Sequence, residues 1–101
     1  MGAQNPVDPI SYLTTFNTTE QSNSVTTSPA ALTFPTPTIS NPQVTLVTNI
    51  GTVSAYVSTI SGGHTWIVPP GAMVPIPTGS LTLYAFTSSG TTTLYVIQGS
   101  Y

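Results

Sequence analysis

The chain has no lysine, no arginine and no cysteine in 101 residues. Its side-chain charges are limited to Asp8, Glu20 and, in part, His64. Without basic side chains there is no electrostatic footprint for a phosphate backbone, which excludes nucleic acid as a partner. Recruitment to anionic lipid through a basic patch is excluded for the same reason. Without cysteine there is neither a disulfide framework nor a thiolate metal site. No apolar run approaches the ~20 residues of a membrane-spanning helix. The opening residues Met1-Gly2-Ala3-Gln4-Asn5-Pro6 have no basic segment followed by an apolar one, so no secretion signal is expected. Gly2 invites a myristoylation reading, but Pro6 sits inside that motif. The expected product is made in the cytoplasm and is not processed. A chain of this length holds one domain.

Thr and Ser fill the space that charge leaves: 20 Thr and 12 Ser, about a third of the chain. Thr, Val, Ile and Tyr fit a pleated strand, and the 10 Pro and 8 Gly supply breaks between strands. Strong helix formers are scarce. The composition is all-β. With 39% hydrophobic residues the chain can fill one small core. Such a core is marginal at this length, so association with copies of itself or with a larger body is expected.

The first 29 residues differ from the rest. They hold both carboxylates, the breaks Asn5-Pro6 and Asp8-Pro9, and a polar tract from Asn17 to Ser28. So polar a segment cannot offset its own ordering entropy by burial. It reads either as a disordered leader or as an extended arm that orders on a neighbour, anchored by Ile10, Tyr12, Leu13 and Phe16. The domain organisation expected is therefore an arm over 1–29 and a β-sandwich over 30–101.

From Ala30 strands are expected at 31–34, 43–49, 52–58, 64–68, Met73–Ile76, 80–86 and 91–98. In 52–58 the residues Val53, Ala55 and Val57 share one face, with Tyr56 on the other. Ser61-Gly62-Gly63, Pro69-Pro70-Gly71, Thr78-Gly79 and Ser88-Ser89-Gly90 read as turns, the last closing a hairpin. Pro75 places Met73–Ile76 at a sheet edge. The C-terminal strand has no tail after it, so it is expected to be central or paired. Short strands at ~8–12-residue spacing point to a small antiparallel sandwich, jelly-roll or immunoglobulin-like.

Chemistry is thin. A hydrolytic nucleophile needs a base held beside it, and His64 has no obvious orienting partner. Asp8 and Glu20 are a poor glycosidase pair. Calcium sites need several carboxylates together, and phosphate loops need a Gly-rich strand-to-helix turn; neither pattern occurs. No catalytic residue, metal site or cofactor is expected. Asn17-Thr18-Thr19 matches a glycosylation acceptor, but the motif carries no weight without a secretion signal. The aromatics Tyr56, Trp66, Tyr84, Phe86 and Tyr95 are the remaining handle. On an exposed face they would stack on sugar rings; otherwise they fill the core or a subunit contact, the simpler reading in so small a chain. Trp66 is the best single interface anchor.

Three stretches follow one another in a distinctive order. Val47-Thr48-Asn49-Ile50-Gly51-Thr52-Val53-Ser54-Ala55-Tyr56-Val57 is an asparagine, apolar, glycine opening before a short strand. Ile67-Val68-Pro69-Pro70-Gly71-Ala72-Met73-Val74-Pro75-Ile76 is a proline-glycine turn into an apolar strand. The stretch from Leu83 to Gly99 is a closing hairpin. This order resembles the small β-sandwich virion proteins of tailed bacteriophages: head decoration (cement) proteins, head fibres and minor tail proteins. The resemblance covers residues 44–99. It implies a non-enzymatic virion protein, frequently a homotrimer seated on the major capsid protein lattice, on the capsid exterior. It supplies no catalytic residues. The expectation is a decoration protein that binds and stabilises the outer shell, with Ile10, Tyr12, Leu13, Phe16 and Trp66 as partner contacts. The competing expectation is a tail or fibre module that binds host surface carbohydrate.

Overall fold

The computed structural model describes residues 13–78 and 81–101, and they form nine strands and no helix. These are β1 (Thr15–Phe16), β2 (Gln21–Val25), β3 (Ala30–Ala31), β4 (Val44–Asn49), β5 (Ala55–Ser58), β6 (Trp66–Val68), β7 (Met73–Ile76), β8 (Tyr84–Phe86) and β9 (Thr92–Ser100). Ile10 and Tyr12, and Gly79 and Ser80 of the expected turn and strand start, lie outside the described residues.

The strands make two antiparallel sheets. The first runs β1-β9-β4-β7, with β2 also paired to β9; the second runs β3-β8-β5-β6. The pairings nest: β2 with β9, β3 with β8, β4 with β7 and β5 with β6. The chain is thus one long hairpin whose tip is the β5–β6 turn. Successive strands from β2 to β5 alternate between sheets, as do those from β6 to β9, so the hairpin is rolled around the core. The pairs β4·β9 and β5·β8 knit each sheet across the roll. This is jelly-roll connectivity, and it decides between the two sandwich types that the strand spacing left open.

Pro69-Pro70-Gly71 is the tight turn expected: the Ala72 N–H donates to the Pro69 carbonyl at 3.1 Å and Gly71 takes a φ of 77°. It carries the chain from β6 in the second sheet to β7 in the first. One connection differs from expectation: Ser88-Ser89-Gly90 carries the chain from β8 to β9, so it too is a crossing between sheets and not a hairpin. Thr87 holds the second crossing: its N–H donates to the Thr26 carbonyl and its hydroxyl to the Gly90 carbonyl. The edge position of β7 and the inner position of β9 are as expected.

The core follows from alternation. Val47, Ala55, Val57, Val68, Ile76, Leu83, Ala85, Leu94 and Val96 project between the sheets and are buried, with Val25 and Leu32 joining them. A smaller cluster lies on the outer side of the first sheet, where Leu13 covers Val44, Leu46 and Ile97. Gly99 makes room for it: a Cβ there would stand 2.9 Å from Leu13 Cδ1 and 3.2 Å from the Phe16 ring.

Residues 13–25 therefore belong to the sandwich, and position 29 is not a boundary between folded units. From Thr15 to Gln21 is six positions, while their partners Ser100 and Val96 are four apart, so two extra residues step out between β1 and β2. Asn17 clamps that step. Its Oδ1 accepts the Gln98 N–H at 2.7 Å and its Nδ2 donates to the Pro37 carbonyl at 3.2 Å. Asn17 is 6% exposed, so its amide is engaged in packing and is not offered as a glycosylation acceptor.

Candidate functional site

The site is the outer face of the second sheet. Ala55 and Val57 of β5 point into the main core, which turns Tyr56 outward. Ala85 of β8 points inward, which turns Tyr84 and Phe86 outward. Trp66 and Val68 of β6 pack on the core, which turns Ile67 outward. Register then aligns the outward residues. Phe86 and Ile67 flank Tyr56 on its two sides, and Tyr84 stands beside Ser58. The result is a row Phe86–Tyr56–Ile67 across three neighbouring strands.

His64 completes it. The turn after β5 brings its ring edge-on to Tyr56 at 4.5 Å and to Phe86 at 5.1 Å between centroids. The Tyr56 and Phe86 rings are themselves 5.3 Å apart. The turn is set by Ser58, whose Oγ accepts the Ile60 N–H at 3.1 Å and shares a hydrogen bond with the Thr65 hydroxyl at 2.9 Å. The three rings brace one another in edge and tilted contacts of the favourable kind. Ile67, beside them, remains 54% exposed. No described residue of this face carries a carboxylate, a guanidinium or an ammonium group.

Such a face can bury apolar area and offer phenol and imidazole hydrogen bonds. Among the described residues no group of three His, Cys, Asp or Glu could hold a metal ion, and no pocket opens at the surface. Every buried side-chain nitrogen and oxygen described has a hydrogen-bond partner. The buried polar groups are thus structural fasteners. The tightest is Asn49, whose Nδ2 donates to the Val53 and Val68 carbonyls at 2.8 and 2.9 Å. Its Oδ1 accepts the Gly51 N–H at 3.0 Å and the Thr92 hydroxyl at 2.6 Å.

The expected contact residues are scattered by the fold. Leu13 is 9% exposed and sits in its own chain's outer cluster, so it is not free to anchor on a neighbour. Phe16 lies over Gly99 and is 39% exposed. Trp66 is half-buried against the main core and does not share the outer face with Tyr56. Tyr95 projects from the outer side of the first sheet, away from Tyr56, Tyr84 and Phe86. Tyr56, Tyr84 and Phe86 do come together. His64 and Ile67 were missing from the sequence reading of this site. Ile67 could have been found from its place between two core residues, whereas His64 reaches the face only through the turn geometry.

Comparison of the chain with protein families, curated proteins and solved structures finds no match.

Proposed function

We propose that this chain is a structural virion protein: a decoration, or cement, protein that binds the outer shell of a phage head as a homo-oligomer, without enzymatic activity. The observation that carries the reading is the row Phe86–Tyr56–Ile67 with His64 seated on it, an uncharged aromatic and aliphatic face on a chain almost without charge. Aromatic side chains concentrate binding energy in protein interfaces, and contiguous exposed apolar surface marks a docking site. The jelly-roll order adds support by analogy of fold alone, since that architecture recurs in viral capsid and lectin domains. Each copy contributes a modest contact, and repetition over a lattice raises effective affinity.

The test is rebinding to shells stripped of this protein. Replacing Tyr56 and Phe86 together by Ser removes both rings from an outward face and leaves the core residues in place. Binding is expected to weaken by about thirtyfold or more, the loss of one hot-spot contact of about 2 kcal/mol, with an unchanged circular dichroism spectrum. Binding within a factor of about two of the natural chain contradicts the assignment of this face.

A second reading has an observation of its own. Tyr56, Tyr84 and Phe86 lie on one outer face, an arrangement on which sugar rings stack. In that case the same variant loses adsorption to host cells but still binds shells, and soluble host glycan competes for the natural protein.

A further inference from the structure

We infer that the outer edge of β2 is a self-pairing edge, on which a second copy of this chain adds its own β2 antiparallel to join the two first sheets. The inference rests on backbone geometry and is independent of the shell-binding reading.

Sheet edges left open invite pairing, and proteins guard them with short strands, proline or charge. Most edges of this fold are guarded. β7 carries Pro75, β1 and β3 have 2 residues each, and β6 has 3. β2 is different. It has 5 residues, Gln21-Ser22-Asn23-Ser24-Val25, with no proline and no charge. Its outward side chains are the two small serines, both exposed.

The direction of its backbone groups follows from the ladder. The Thr93 carbonyl accepts the Ile50 N–H at 3.0 Å, so the Thr93 backbone faces the β4 side of β9. Alternation then turns the backbones of Leu94 and Val96 toward β2. Their register partners are Asn23 and Gln21, which face β9 in return. Ser22 and Ser24 must face away. In agreement, the Ser22 carbonyl takes a hydrogen bond from the Gln21 side-chain amide at 3.1 Å, a local substitute for a strand partner.

Two residues with outward N–H and C=O groups, separated by one inward residue, are self-complementary under a two-fold rotation. With Asn23 opposite Asn23 of the second copy, Ser22 faces Ser24 and Ser24 faces Ser22. Each of these pairs exchanges both hydrogen bonds, which uses all the outward groups. Val25 and Asn23 stay on the inner side in both copies, so the buried face runs on unbroken. Glu20 meets Thr26 of the second copy. The two Glu20 carboxylates are six positions apart along the pair, about 20 Å at ~3.4 Å per residue, so they do not oppose it.

The test is sedimentation of the full chain from micromolar to millimolar concentration, with amide exchange read at Ser22 and Ser24. Ser24→Pro deletes an outward N–H that the β9 ladder does not use, a position where an edge strand tolerates proline. It removes two of the four intermolecular bonds. The natural chain is expected to form a dimer in which these two amides become protected as concentration rises. Ser24→Pro should weaken association about thirtyfold with the same thermal midpoint. Ser22→Lys, which places charge on the edge without touching the backbone, is the second variant should Ser24→Pro not fold. A chain monomeric at millimolar concentration overturns the inference, as does association unchanged in a folded variant. So does protection of Ser22 and Ser24 that is independent of concentration, because the edge is then occupied within one chain.

Discussion

Asn49 fastens several segments of this fold with one side chain. Its carboxamide ties the end of β4 to the start of β9 through Thr92, to the end of β6 through Val68, and to the following loop through Val53 and Gly51. The side chain is fully buried, so each bond that is lost leaves a partner without water. Asn49→Ala is expected to cost about 3–4 kcal/mol, from several bonds of about 1 kcal/mol each. That is a large share of the stability of a domain this small. Asn49→Asp should cost at least as much at neutral pH, because it sets a carboxylate oxygen against the Val53 and Val68 carbonyls. Urea unfolding of the two variants checks this, and a loss under about 1 kcal/mol for either contradicts the fastening role of Asn49. Gly51 belongs to the same fastening, since any Cβ there would collide with the Thr92 hydroxyl. In the sequence, Asn49 reads as the end of a strand and Ile50-Gly51 as the break after it. The partner that gives it meaning, Thr92, is 43 positions away. The interaction face was half legible for a similar reason. Alternation along β5 placed Tyr56 outward. The expectation for Trp66 rested on residue type, and its neighbours in three dimensions half-bury it against the main core.

Strands that bury apolar side chains could be read directly, which is why β4 through β9 fall largely within the stretches expected for them. β1 and β2 could not. β2 is held by its ladder to β9 and by Asn23, whose Oδ1 accepts the Thr33 N–H at 2.8 Å and whose Nδ2 donates to the Thr33 carbonyl at 3.0 Å. An inward asparagine satisfied by a loop ten positions on carries no hydrophobic signal. Ser88-Ser89-Gly90 reads as a hairpin in the sequence because serine and glycine mark a change of direction without saying which sheet receives the next strand. A consequence follows for truncation. Removing residues 1–29 strips both strands from one side of β9, takes Leu13 off Val44 and Leu46, and takes Val25 out of the main core. The truncated chain is expected not to fold, with no cooperative thermal transition. A folded truncated domain of near-natural stability contradicts β1 and β2 being integral to the sandwich.

At the scale of the whole molecule, one nested hairpin rolled into two sheets presents a surface with almost no charge. Contacts made by such a surface depend on apolar burial, backbone pairing and neutral hydrogen bonds, which salt screens little. A lattice-bound cement protein needs many identical contacts. The chain offers an aromatic face on one sheet and an open strand on the edge of the other. No described helix is long and apolar enough to cross a membrane. A shell-bound structural role is read out by copy number. Virus particles from the source of the chain are washed in low and in molar salt, and the chain is quantified against the major shell protein by mass spectrometry. Copies on the order of the number of shell subunits are expected, in a ratio that the salt wash does not change. A handful of copies per particle, or none, contradicts that role.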